Sequence, residues 1–153
     1  MTMAEPKLPR TILEISAHLI LTCLFSLIIY LKSANLNYVV IFVCGGILID
    51  LDHFLDYCLF FKNRFKLKDF LSHTYIASGK IYLILHSWEI NLIVLFLGLI
   101  LQNRALLILA LSLALHLSID NLQRKNPFAY SLIYRITKRF DVKTIFPEFF
   151  TLP

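Results

Sequence analysis

YVVIFVCGGILIDLDHFLDY, residues 38–57, runs without a charge from Tyr38 to Ile49 and then places Asp50, Asp52, His53 and Asp56 within seven positions. Extended to residue 61, this apolar run is long enough to cross a bilayer, which takes roughly 20 mainly apolar residues. Acids and an imidazole within such a run are costly, at roughly 2.5–3.5 kcal/mol for a central charge on insertion scales, so they tend to face a cavity and carry function.

The rest of the chain follows the same pattern. Windows at about 11–31, 81–102 and 105–121 are also apolar enough to span. Across 153 residues, 58% are hydrophobic and 16% charged, against about a quarter charged in typical soluble domains, and the mean hydropathy is +0.72. Lys7 and Arg10 precede the first window as they would in a signal peptide, but no small-x-small cleavage motif follows, so the window reads as a permanent helix. The expected fold class is an all-α polytopic membrane protein. Residues 1–121 form a four-transmembrane-helix bundle with spans at about 11–31, 38–61, 81–102 and 105–121, and residues 122–153 form a basic, aromatic cytoplasmic tail. Cys23, Cys44 and Cys58 all fall inside spans at uneven spacing and suggest neither a disulfide framework nor a thiolate metal site.

With four spans, only Lys32 and Arg104 lie on one side of the membrane, leaving thirteen of the fifteen basic residues on the other. That excess places both termini in the cytoplasm and the protein in the cell membrane. It also accounts for the net charge of +5 without a nucleic-acid partner, since basic residues face anionic headgroups there. In the tail, Pro127 can open a helix in which Phe128, Leu132, Ile136 and Phe140 recur every four residues, opposite Arg135, Lys138 and Arg139. This pattern predicts a C-terminal amphipathic interfacial helix lying on the cytoplasmic surface or packing on the bundle's inner end.

The ionisable residues of the spans share one depth. At about 1.5 Å per residue, His18 lies about 10 Å inside the cytoplasmic boundary, His86 and His116 about 8 Å, and Asp50 to Asp56 roughly 16 to 7 Å. Asp50, Asp52, His53 and Asp56 fall within an arc of roughly 160° on a helix. Glu14 with His18, and His116 with Asp120, are i,i+4 pairs, and His86 with Glu89 is an i,i+3 pair. Each span can thus aim a polar pair at a common axis, as helical bundles do when they build metal sites. No Lys or Arg lies at that depth in the spans, so several carboxylates there require one or two divalent cations as counter-charge. Oxygen and imidazole donors without thiolate suit zinc, manganese or iron. His73, in the 62–80 loop, reads as an exposed loop histidine.

DLDH at 50–53, LHS at 85–87 and HLSID at 116–120, with His18 in the first helix, resemble the small membrane-bound metal-dependent hydrolases of bacteria and archaea. Ile49 stands where that family often has proline and Leu85 where it often has threonine, while HSWE adds Trp88 and Glu89 to its histidine-serine element. The resemblance implies metal-site roles for Asp50, Asp52, His53, His86, His116 and Asp120, to which the depth argument adds His18. In a hydrolase, Glu89 or Asp56 is the candidate general base, and a site at this depth favours a membrane-lipid substrate, as an ester or phosphoester of a phospholipid or polyprenyl phosphate. A metal-ion transporter or channel, and a scaffold with a structural metal, are the competing readings. The first lacks a second polar station in LTCLFSLIIYL, YVVIFVCGG and LIVLFLGLILQ. No Gly-rich phosphate loop, GxSxG or DGxxAR motif is present. A homo-oligomer is left open.

Overall fold

A computed structural model of the chain describes residues 8–61, 66, 70, 76 and 78–150; His73 and the side chain of Glu14 lie outside the described residues. Helix α1 (Leu8–Ser33) ends at Ala34, and Asn35 then caps α2 (Leu36–Leu48) by accepting from the amide of Asn37. A tight turn at Ile49 and Asp50 leads into α3 (Leu51–Phe61). Helix α4 (Trp88–Ile100) follows with Ser87 as its N-cap, and α5 (Arg104–Leu122) with Asn103 as its cap. The tail adds two short helices, α6 (Leu132–Thr137) and α7 (Val142–Ile145), and a final 3₁₀ turn at Pro147–Phe149. The described residues contain no strand, only an isolated bridge between Lys80 and Asp141.

Among the described residues, three helical stretches are long and apolar enough to cross a membrane: Ser16–Ser33, Leu36–Phe60 and Arg104–Leu122. Their outer faces suit lipid and not water. Within Ser16–Ser33 only Ile29 is buried, while Leu19, Ile20, Leu27 and Leu31 stand exposed.

The structure departs from the expected four spans in two places. The 38–61 segment is tightened at its acidic end, where Asp50, Asp52 and His53 donate to carbonyls three residues back instead of four. The 81–102 segment becomes helical only at Trp88, giving a helix of 13 residues. Its first seven residues are as apolar as a helix requires, but the amides of Tyr82, Leu83 and His86 are taken by aspartates of α3, as described below.

Helix α5 is the hub, packing against α4, α2 and α1. Small residues bring the backbones close: a Cβ on Gly98 would lie 3.1 Å from the backbone nitrogen of Leu107, and one on Gly45 would lie 2.7 Å from Leu109 Cδ1. Ser112 also donates its hydroxyl to the Phe42 carbonyl, the kind of small-residue, polar contact that joins helices in lipid. The principal cluster of buried hydrophobic residues includes Tyr57, Ile81, Leu83, Leu117, Tyr130, Val142, Ile145 and Phe146. The tail is therefore part of the core.

This packing inverts the expected tail helix. Residues Pro127–Tyr130 form turns, not helix, so the four-residue apolar repeat is broken and only α6 remains. Phe128, Ile133 and Ile136 are exposed, whereas Arg135, expected on the outer polar face, is completely buried.

Substituting alanine for Gly98 should lower the midpoint of thermal unfolding in detergent, because the Leu107 backbone cannot yield, at a cost of about 1–3 kcal/mol. The same change at Gly46, whose Cβ would meet only Ser112 Oγ at 3.5 Å, should leave the midpoint nearly unchanged.

Candidate metal centre

Four side chains from three parts of the fold converge at one point. Asp50 comes from the turn between α2 and α3, His86 from the loop before α4, and His116 and Asp120 from one face of α5. His86 Nε2 lies 3.4 Å from Asp50 Oδ1 and 3.7 Å from Asp120 Oδ2. His116 Nε2 lies 3.4 Å from each of the same two oxygens. A tetrahedral ion with bonds of about 2.0–2.2 Å sets its donors about 3.3–3.6 Å apart, and the four imidazole–carboxylate separations here, out of the six that four donors define, are 3.4–3.7 Å. Octahedral neighbours at the same bond lengths would stand about 2.8–3.1 Å apart.

Two ligand triads can be drawn among the described residues, His18–His116–Asp120 and Asp50–His86–His116, each with its donor atoms within 4.8 Å of one another. Both use His116, whose Nε2 faces Asp50 and Asp120 alike. An imidazole nitrogen has a single lone pair, so Nε2 can serve only one ion. His18 has a different engagement: its Nε2 lies 3.0 Å from Asp120 Oδ1 and its ring is 4.4 Å from that of His116. It is thus placed to orient Asp120 from behind.

His86 is the most deeply enclosed of the four. The side chain is wholly buried, yet neither Nδ1 nor Nε2 has a hydrogen-bond partner. Leaving buried polar atoms unpaired costs about 1–3 kcal/mol, and a cation among the four donors removes that cost at Nε2. Asp52 stands behind the ring, with Oδ2 3.5 Å from Nδ1 and accepting the His86 backbone amide at 2.8 Å. This is the carboxylate–histidine arrangement that orients metal-binding imidazoles. His53 lies edge-on to His86, with ring centres 4.9 Å apart.

The two candidate bases are engaged elsewhere. Asp56 Oδ2 accepts the amides of Tyr82 and Leu83 at 2.9 and 3.3 Å. Glu89 accepts the Ser131 hydroxyl at 2.6 Å and the amides of Leu132 and Ile133 at 2.8 and 3.1 Å, holding the start of α6.

Counter-charge comes from a direction the span-by-span count omits. Arg135, from the tail, donates through its two terminal nitrogens to the carbonyls of Leu83 and His86 at 2.7 and 2.8 Å. Burial pushes its pKa down, while the carboxylates of Asp52 and Glu89 pull it back up. In the sequence, the one signal for this role is a single arginine set in an otherwise uncharged hexad, LIYRIT. A second tail arginine, Arg124, bonds Tyr130 and Glu148 and lies 5.4–6.0 Å from three aromatic ring centres, fastening the chain end to α5.

Purified protein should retain divalent metal near one ion per chain by elemental mass spectrometry, and His116→Ala or Asp120→Asn should lose it. Asp52→Asn keeps all four converging donors and should still bind, about 10–100-fold more weakly in a chelator competition. No protein-family model, curated protein or solved structure matches this chain.

Proposed function

We propose that the chain is a membrane-embedded metal-dependent hydrolase that cleaves an ester or phosphoester of a lipid at the cytoplasmic leaflet, using one zinc-like ion. The observation that carries this reading is the convergence of Asp50, His86, His116 and Asp120, from three parts of the fold, with imidazole and carboxylate donors 3.4–3.7 Å apart. A divalent ion held there supplies Lewis acidity and a water whose pKa is lowered toward neutrality.

The chain's own residues supply the rest. The side chain of Asp50 is 55% exposed and forms the mouth of the cluster. Its Oδ1 faces the two histidines, while its outer oxygen can take the proton from an attacking water. Glu89 and Asp56, the alternative bases, act here by fixing α6 and the loop that carries His86. His18 and Asp52 hold Asp120 and His86 in orientation.

The surroundings favour a lipid substrate. Ile47 and Phe54, three before and four after Asp50, are exposed together with Leu51, as are Ile84 and Leu85 beside His86. An amphiphile can therefore bring its ester to Asp50 while its chains remain in hydrocarbon. On the tail, exposed Phe128, Ile133 and Ile136 lie near Lys138, Arg139 and Lys143 in the chain, a combination suited to an anionic cytoplasmic surface. Both termini then face the cytoplasm.

In mixed micelles, zinc-loaded protein should release product from at least one long-chain phospholipid or polyprenyl-phosphate ester. Chelation should abolish the release, zinc should restore it, and Asp50→Asn should reduce it to background. Equal release by wild type and Asp50→Asn would refute the assignment.

A further inference from the structure

Residues Ile81–Ser87, which deliver His86 to the cluster, lie outside helix and sheet. Their backbone is held from two sides. On one side, carboxylates of α3 accept amides: Asp56 those of Tyr82 and Leu83, Asp52 that of His86. On the other, the Arg135 guanidinium donates to the carbonyls of Leu83 and His86. Between these clamps Leu83 adopts a positive φ of 44° although it is fully buried and is not glycine. Such a conformation costs of order 1–3 kcal/mol and persists only where neighbouring contacts enforce it.

Arg135 is itself held in place. It sits in the first turns of α6, whose N-terminus is fixed by Ser131 and, across the fold, by Glu89 at the start of α4. A continuous series of hydrogen bonds thus runs from Glu89 through α6 to Arg135, and from Arg135 to the backbone of the His86 loop. The planar guanidinium spans two carbonyls three residues apart, which the point charge of a lysine cannot do.

We infer that Arg135 is a positioning residue for the metal centre: a tail side chain that sets the place of the His86 imbidazole through the carbonyls of Leu83 and His86, so that ion binding depends on the docked tail. This inference rests on the proposed metal-dependent function.

The test titrates cobalt(II) alone into metal-free full-length protein in detergent, reading affinity and the visible absorption bands that report donor geometry. Arg135→Lys should bind about tenfold or more weakly and with altered bands, while its helical circular dichroism matches wild type. Arg139→Lys, an equally conservative change at an exposed position of the same tail, should behave as wild type in both readouts. If Arg135→Lys does not fold, Glu89→Gln, which loosens α6 from the other end, carries the same expectation. An Arg135→Lys protein with wild-type affinity and spectrum overturns the inference and leaves the metal site standing. A wild-type protein that takes up no cobalt overturns both.

Discussion

The structure around the candidate centre depends on how seven residues without regular secondary structure obtain their hydrogen bonds. Backbone amides and carbonyls cannot be left unpaired away from water, and Ile81–Ser87 have no helix or sheet to supply partners, although Ser87 bonds back to the Leu85 carbonyl and Ile81 to that of Phe140. Asp52 and Asp56 take the amides of Tyr82, Leu83 and His86, and Arg135 takes two of the carbonyls. Much of the unusual charge in this apolar chain is therefore explained without chemistry, since two of the four aspartates near the cluster support the loop that presents His86. The remaining two, Asp50 and Asp120, face the imidazoles directly.

The tightened turn at Ile49 and Asp50 gives one acidic run two roles. Asp50 and Asp52 are only two residues apart, yet Asp50 is exposed at the mouth and Asp52 is buried against His86. Positions two apart in a helical chain point about 160° apart, and here the two carboxylates stand at different nitrogens of the same histidine, Asp50 at Nε2 and Asp52 at Nδ1. One becomes a candidate ligand and the other orients the imidazole.

Much of this was legible in the sequence, for a physical reason. Helical rise is fixed, so the placement of His18, Asp50 and His116 in the inner half of the bilayer could be counted before any fold was known, and these residues do come together with His86 and Asp120, although His86 arrives on a loop and not on the helix that the count assumed. What stayed hidden depended on partners distant in the chain. Ile81–Ser87 are apolar enough to read as the start of a span, and nothing local shows that their amides bond to α3. Arg135 fitted the polar face of a surface helix because its four-residue spacing said so, but two carbonyls some fifty residues earlier in the chain offered it a better place. Of the apolar side chains expected beneath that helix, Phe128 and Ile136 consequently face outward, while Leu132 and Phe140 are half-buried.

The brevity of α4 has a consequence for the membrane itself. Its 13 residues extend about 20 Å, whereas the 19 residues of α5 extend about 28 Å. Beside a hydrocarbon layer of about 30 Å, one flank of the molecule is too short to match its surroundings. A helix this much shorter than its neighbour is a source of hydrophobic mismatch, which bilayers meet by tilt or local thinning. In the membrane setting proposed above, the loop that displaced the first turns of α4 would place that thinning on the flank where His86 lies.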